Sequence, residues 1–336
     1  MTAATLLSRK AAQSGIRPVN PRTDMGEIAD LIQEAFDQDM DPIGSQLVRD
    51  MKTFSRAGFL GWLFGRLFLP QAAYPMGYVW EEDGQVVGNA SMLRVEGFPW
   101  RWVMANVAVD PAYQRKGIGR ALIQASIEFA QKKKAREVIL QALSSNQAAQ
   151  VLYASLGFKP LSTRTTWSRR RSQMMLGNVD TGTARLRSEG EWHDQLALAE
   201  RLHPEGLIWP YPLAPSIFHV SGFSAFFFQE NSQHWVWFEG HRLLGSLTAR
   251  FSIQRSTVRF ILMVEPEAQG EIEANLVSAG LMAFAQRRVR IVMDYPSGVA
   301  TQNFQNLGFE VERTLTWMSK QLDGSDQVRG LNGIES

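Results

Sequence analysis

Apolar and polar positions along this chain fall into a series of short alternating runs and longer helical stretches, and the series occurs twice. A strand is expected at 16–19, followed by one or two helices. Strand-like alternation then covers 76–82 and 85–94, on either side of Asp83-Gly84. An apolar strand follows at 102–109. Residues 119–132 carry Leu122, Ala125, Ser126 and Phe129 at helical spacing, with Ile123, Ile127 and Ala130 beside them. A strand at 137–142, a short helix and a last strand close the series. The second pass runs through strands at 184–187, 235–239, 242–251 and 258–264, a helix at 271–286 and a strand at 290–294, then again a short helix and a strand. Asp83-Gly84 and Glu239-Gly240 suit tight hairpin turns that need positive φ.

Short identical or similar words mark the same points in both passes. Val87-Gly88 is matched by Leu244-Gly245, and Val109-Asp110-Pro111 by Val264-Glu265-Pro266. Leu156-Gly157-Phe158 is matched by Leu307-Gly308-Phe309, and Thr165-Thr166-Trp167 by Leu315-Thr316-Trp317. The order is kept and the separation shrinks steadily, as small deletions in the second copy would produce. Strands alternating with helices predict an α/β layered architecture with a mixed sheet in each copy. The expected boundaries are a first domain at 14–170, a second at 183–322, a polar linker over 169–182 and a disordered tail over 323–336. Residues 1–14 are expected to fray, with no signal peptide. The most apolar stretch, 57–69, is interrupted by Arg66 and is shorter than the roughly 20 residues that a bilayer span needs. A packed or lid helix is the favoured expectation there, an interfacial membrane helix the minor one.

Composition adds bounds. A chain of 336 residues with 45% hydrophobic and 20% charged positions is long enough for two well-packed domains. A net charge of +2 does not call for nucleic acid as a partner. The absence of cysteine excludes disulfides, thiolate metal sites and a cysteine nucleophile, and fits a reducing, cytoplasmic setting.

The chemistry concentrates between Val107 and Leu122, a strand that runs into Gln114, Arg115, Lys116, Gly117, Ile118, Gly119 and Arg120 at the head of a helix. Glycines let backbone N–H groups approach a ligand closely, and a helix N-terminus offers unpaired donors with partial positive charge. Arg115, Lys116 and Arg120 add cationic charge. A pyrophosphate is the natural occupant. The loop is neither a P-loop, lacking Gly-Lys-Ser/Thr, nor the dinucleotide fingerprint, whose third glycine is here Leu122.

The whole run Val-x-Val-x-Pro-x-x-Gln-Arg-x-Gly-x-Gly-x-x-Leu resembles the acetyl-CoA motif of the GNAT superfamily of N-acetyltransferases. Asn146, Tyr153 and Gly157-Phe158 downstream resemble that family's second signature. The resemblance implies two tandem GNAT-like domains, each a mixed, mostly antiparallel sheet flanked by helices. It also implies an acyltransferase that moves an acetyl group from acetyl-CoA to a primary amine of a small molecule or peptide, with no metal. Carried over residue by residue, it implies that the backbone of Val107 and Val109 pairs with pantetheine and the acyl carbonyl. Gln114 and the amides from Arg115 through Arg120 hold the pyrophosphate, Asn146 contacts the CoA arm, and Tyr153 is the general acid to the departing thiolate. A non-catalytic acyl-CoA sensor is the alternative. No acid stands on the strand at 102–109, so candidates for a general base are Glu81, Glu82, Asp37, Asp39 and Asp41. Phe54, Phe59, Trp62 and Phe64 could form a lid over the acceptor.

The second copy is expected to lack this chemistry. Its loop keeps Gly270 but loses the second glycine and the basic residues, and Glu271 and Glu273 stand where phosphate would go. Phe304 replaces Tyr153, and Ser297 replaces Asn146. A structural or acceptor-shaping role remains for it. His203, His219, His234 and His241 match no metal spacing. The aromatic residues Trp209, Tyr211, Phe218, Phe223, Phe226, Phe227 and Phe228 are expected in a core.

Overall fold

A computed structural model describes residues 14–36, 42–56, 76–95, 97–170, 181–208, 211–219, 230–252 and 257–322. The expectations for the two tails, for 57–69 and for Asp37, Asp39 and Asp41 lie outside these residues. So do those for Phe59, Trp62, Phe64, the side chain of Phe54 and most of the aromatic group after Trp209. The chain divides into two compact units, and they do not follow the two halves of the sequence.

The first unit holds β1 (Gly15–Pro18), β2 (Met76–Glu82), β3 (Gln85–Val95), β4 (Phe98–Val109) and most of β5 (Glu137–Leu143), in that spatial order. Strands β1 to β4 are antiparallel, and β4 and β5 are parallel. Its helices are α1 (Met25–Phe36), α2 (Pro42–Arg56), α3 (Ile118–Lys132) and α4 (Gln147–Ser155). Alternation along β2 divides the core between two layers. Val79 packs with Ile28, Ile32, Val48 and Met51 of α1 and α2, whereas Tyr78 and Trp80 pack with Ile118 and Leu122 of α3. The β2–β3 turn has Asp83 at φ 49° and Gly84 at φ 83°, as the Asp-Gly pair predicts.

The second unit holds β7 (Arg185–Leu186), β10 (Glu230–Glu239), β11 (Arg242–Ser252), β12 (Thr257–Val264) and β13 (Arg290–Pro296). A small hairpin of β8 (Leu207–Ile208) and β9 (Tyr211–Pro212) stands apart from that sheet. Its helices are α5 (Trp192–Leu202), α6 (Glu273–Phe284) and α7 (Thr301–Asn306). Again one strand pair, β12 with β13, is parallel and the neighbouring pairs are antiparallel. Val236, Ile261 and Met263 pack on α5, and Trp235, Phe260 and Leu262 on the α6 side, with Phe218 in the α5 cluster. The second hairpin differs from expectation. Glu239 pairs with Arg242, so the turn centres on Gly240 and His241, and Gly240 supplies the positive φ at 58°.

The units trade strands at their ends. From Leu161 onward β6 (Lys159–Arg169) belongs to the second unit, where it runs antiparallel to β13. From Met318 onward β14 (Glu310–Gln321) belongs to the first unit. There the Leu322 N–H donates to the Arg136 carbonyl at 2.8 Å, and Gln321 Nε2 donates to Glu137 Oε1 at 3.0 Å. The compact units are therefore assembled from segments on both sides of the boundaries expected at 170 and 183.

Candidate functional site

The site grows out of β4. This strand pairs with β5 only from Arg101 to Val103, opposite Glu137 to Ile139, although both strands run further. Beyond that point the β5-facing edge of β4 has no strand partner among the described residues. The register opposite β3 slips where Asn89 faces Ala108 but Ser91 faces Ala105. One extra residue on β4 makes a bulge there, and Asn106 takes φ 52°. The Asp110 N–H donates to the Val87 carbonyl. Alternation then turns the backbone groups of Ala108 toward β3 and those of Val107 and Val109 toward the open edge. The side chains of Val107 and Val109 pack against the head of α3.

The loop after β4 starts with a turn at Pro111–Tyr113, capped by Asp110, whose Oδ1 accepts from the Ala112 N–H. Gln114 Nε2 donates to the Val109 carbonyl at 3.1 Å, folding the loop back on the strand. Arg115 at φ 61° and Gly117 at φ 82° then reverse the chain into α3, with Gly117 as the N-cap. Among the described residues the backbone N–H groups from Arg115 through Arg120 have no acceptor: six successive donors at a helix N-terminus. Ile118 is buried and anchors this turn. The helix approaches so closely that a Cβ on Gly88 would stand 3.0 Å from both Ile118 and Leu122. Above the anchor the space is open. A Cβ on Gly117 would meet nothing within 4 Å, and one on Gly119 only Leu152 and Val109 at 3.7 and 3.8 Å.

The cationic side chains ring this opening and are exposed. Lys116 Nζ lies 4.6 Å from the Tyr113 ring centre, and Arg120 Nη2 donates to Ser155 Oγ at 2.8 Å. Arg120 thereby ties the first turn of α3 to the end of α4. Tyr153, on α4, is buried edge-on against Phe158, and its hydroxyl has no hydrogen-bond partner among the described residues. Burial pushes the phenol up to about 12, so it stays protonated at neutral pH. Asn146 is exposed in the turn before α4 and belongs to the second unit, where its N–H donates to the Leu143 carbonyl. Of the base candidates, Glu81 is ion-paired with Arg17, and Glu82 accepts from Trp80 Nε1 at 3.0 Å. Sequence reasoning missed Asn89, which is fully buried beside the bulge. The signal available was an amide side chain within the small and apolar run from Val86 to Ala90.

The second unit has the same turn, with Gly270 at φ 91° leading into α6, and an equally close approach between Gly245 and Ile272 and Leu276. Its interior is filled. Glu273 is fully buried, and its carboxylate accepts from the Gly270 N–H and, at 2.9 Å, from the Tyr295 hydroxyl. Asn303 Nδ2 donates to the Gly270 carbonyl at 3.0 Å. Counted back from the matching leucines, Leu122 and Leu276, Glu273 takes the place of Gly119. Phe304, the counterpart of Tyr153, is buried against Trp167 and Tyr295.

Comparison with known proteins bears on the same segment. Residues 43–158 match the model of the acetyltransferase (GNAT) family. The [ribosomal protein bS18]-alanine N-acetyltransferase of Escherichia coli (strain K12) is 44% identical over 62 residues, 18% of this chain and 42% of that protein. The chain therefore spans less than half the length of that curated relative. Among solved structures, a tandem GNAT protein from the clavulanic acid biosynthesis pathway superposes with a TM-score of 0.52 at 15% identity. The match covers 94% of this chain and all of that one. A GCN5-related N-acetyltransferase from Sphaerobacter thermophilus superposes with a TM-score of 0.61 at 17% identity, covering 91% and 95%. At these identities the structural likeness concerns the fold.

Proposed function

This chain belongs to the GNAT superfamily and carries its fold twice, and from that premise we propose that the first copy is an N-acetyltransferase using acetyl-CoA, while the second copy binds none. The observation that supports this most is the row of six free amides from Arg115 through Arg120, set beside the unpaired edge of β4. The amides, the α3 N-terminus and the side chains of Arg115, Lys116 and Arg120 suit a pyrophosphate. The open backbone groups of Val109 and Val107 suit an extended pantetheine arm and then the thioester carbonyl.

In this reading the acceptor amine, in its neutral form, attacks the thioester carbon. The N–C bond forms, the carbonyl oxygen gains charge next to the Val107 N–H, and the C–S bond breaks. The Tyr153 hydroxyl donates its proton to the departing sulfur, and the proton shed by the new amide nitrogen returns through water. Free CoA and an amide are the products. The Escherichia coli relative is named for acetylating an alanine of a ribosomal protein, so a search for the acceptor should include peptide N-termini as well as small amines.

Calorimetric titration of acetyl-CoA tests the reading. One site per chain, absent in a Gly117→Glu, Gly119→Glu double variant, followed by thiol release with an amine panel, is the expected result. Binding that survives in the double variant would remove the cradle from the assignment.

A further inference from the structure

Asn89 places a polar side chain among the buried residues Val87, Ala90 and Met92 of β3. It is fully buried there, and its Oδ1 has no hydrogen-bond partner among the described residues. An orphan acceptor of this kind costs stability. The opposite end of the amide explains why the residue is there. Asn89 Nδ2 donates to the Asn106 carbonyl at 2.8 Å and to Ser91 Oγ at 3.1 Å. The carbonyl needs a donor, which fixes which end of the Asn89 amide faces it.

Asn106 is the bulge residue with φ 52°, a conformation that asparagine enters more readily than most residues but that still needs holding. Its carbonyl shares a planar trans peptide with the Val107 N–H, so the two point in opposite directions. A clamp that pulls the Asn106 carbonyl toward β3 therefore aims the Val107 N–H at the open edge of β4. Without the clamp the peptide can turn over and present an oxygen there instead.

We propose that Asn89 is a positioning residue for the thioester: its hydrogen bond to Asn106 sets the Val107 amide that receives the acyl carbonyl. The inference rests on the reading that the first copy binds acetyl-CoA. It predicts that recognition splits in two, with the cradle holding the CoA moiety and the clamped bulge adding a preference for its acetylated form.

The test is titration of acetyl-CoA and of free CoA, separately, into wild type, Asn89→Ala and Asn106→Val. Wild type should bind acetyl-CoA about tenfold more tightly than CoA, the worth of one well-aimed hydrogen bond. Asn89→Ala should lose that preference while its CoA affinity stays within about twofold. Asn106→Val cannot hold positive φ and should behave likewise, which keeps the test open if Asn89→Ala does not fold. A retained preference in either variant overturns the proposal, as does an equal loss of both affinities. If wild type binds neither compound, it is the acetyltransferase reading that fails. A crystal structure of ligand-free Asn89→Ala then decides the clamp alone: Asn106 leaving positive φ supports it, and an unchanged bulge overturns it.

Discussion

Glu273 grips the backbone amide of Gly270 with both carboxylate oxygens, at 2.9 and 2.8 Å. The second copy thus supplies its own anion to a turn that the first copy leaves open. The carboxylate also takes the Tyr295 hydroxyl, whose proton is held far more tightly than usual by burial and by the Glu273 charge. Glu273→Ala would strand the buried Tyr295 hydroxyl and release the Gly270 N–H, so the second unit should lose about 1–3 kcal/mol of stability. Thermal unfolding followed by calorimetry checks this, and Glu273→Gln, which keeps an acceptor oxygen, should fall between.

On the proposed function, the same filling predicts that acetyl-CoA binds once per chain. Equilibrium dialysis at saturating ligand should give a stoichiometry of one. A value of two would mean that Glu273 leaves its place for a ligand.

Gly119 separates fold from ligand. Its Cβ would meet protein atoms only at ordinary van der Waals distance, and its φ is not in the positive region, so Gly119→Ala should fold with little change in thermal stability. The added methyl stands among the free amides. Acetyl-CoA affinity should fall by at least about tenfold, a loss of 1.4 kcal/mol or more, readable by calorimetry.

In the proposed reaction Tyr153 acts in its protonated form, and burial raises its pKa to about 12. A raised pKa keeps the proton on, so Tyr153 loses it only as pH climbs toward 12. The rate of thiol release should rise with pH as the acceptor amine deprotonates and then stay level to about pH 10. Tyr153→Phe should lower kcat by roughly 10²-fold with the same profile. An alkaline limb near neutral pH that vanishes in Tyr153→Phe would contradict the assignment.

His234 should give the second unit an acid-sensitive stability. It is partly buried between Thr248 Oγ1 and Ser232 Oγ, each 3.0 Å from a ring nitrogen. Burial first, and then the charge of Arg187, bring its pKa down to about 3. The unfolded chain takes a proton near pH 6.5 and the folded one does not, so stability is full above that value and drains away as pH falls toward 3. The loss should amount to roughly 2–4 kcal/mol, and His234→Gln should flatten the dependence of Tm on pH.

Several of these features were legible in the residues and others were not. Gly88 and Gly245 marked the repeat because a helix presses on each of them, a need that is written locally. Gly117 and Gly119 were legible for the same reason, since positive φ at the first and open space at both select small residues. The turn at Gly240 slipped by one position because only the pairing of Glu239 with Arg242 decides which two residues sit at its centre. The role of Asn89 was hidden because it depends on a register slip across two strands. Glu273 was recognised as a charge opposed to phosphate, but its burial and its grip on Gly270 come from a chain reversal that no linear spacing displays. The ownership of Leu161–Arg169 and Met318–Leu322 depends on pairings between distant segments, to which hydrophobic periodicity is blind.

That ownership has a consequence for how the protein is made. A ribosome that has released everything through Arg170 has delivered the whole glycine turn, Tyr153 and the bulge, yet not Met318 to Leu322, which complete that unit. The first unit must therefore wait, unfinished, through the synthesis of almost the entire second unit. A chain cut between its repeats should leave the first unit without residues that belong to it, from Met318 onward.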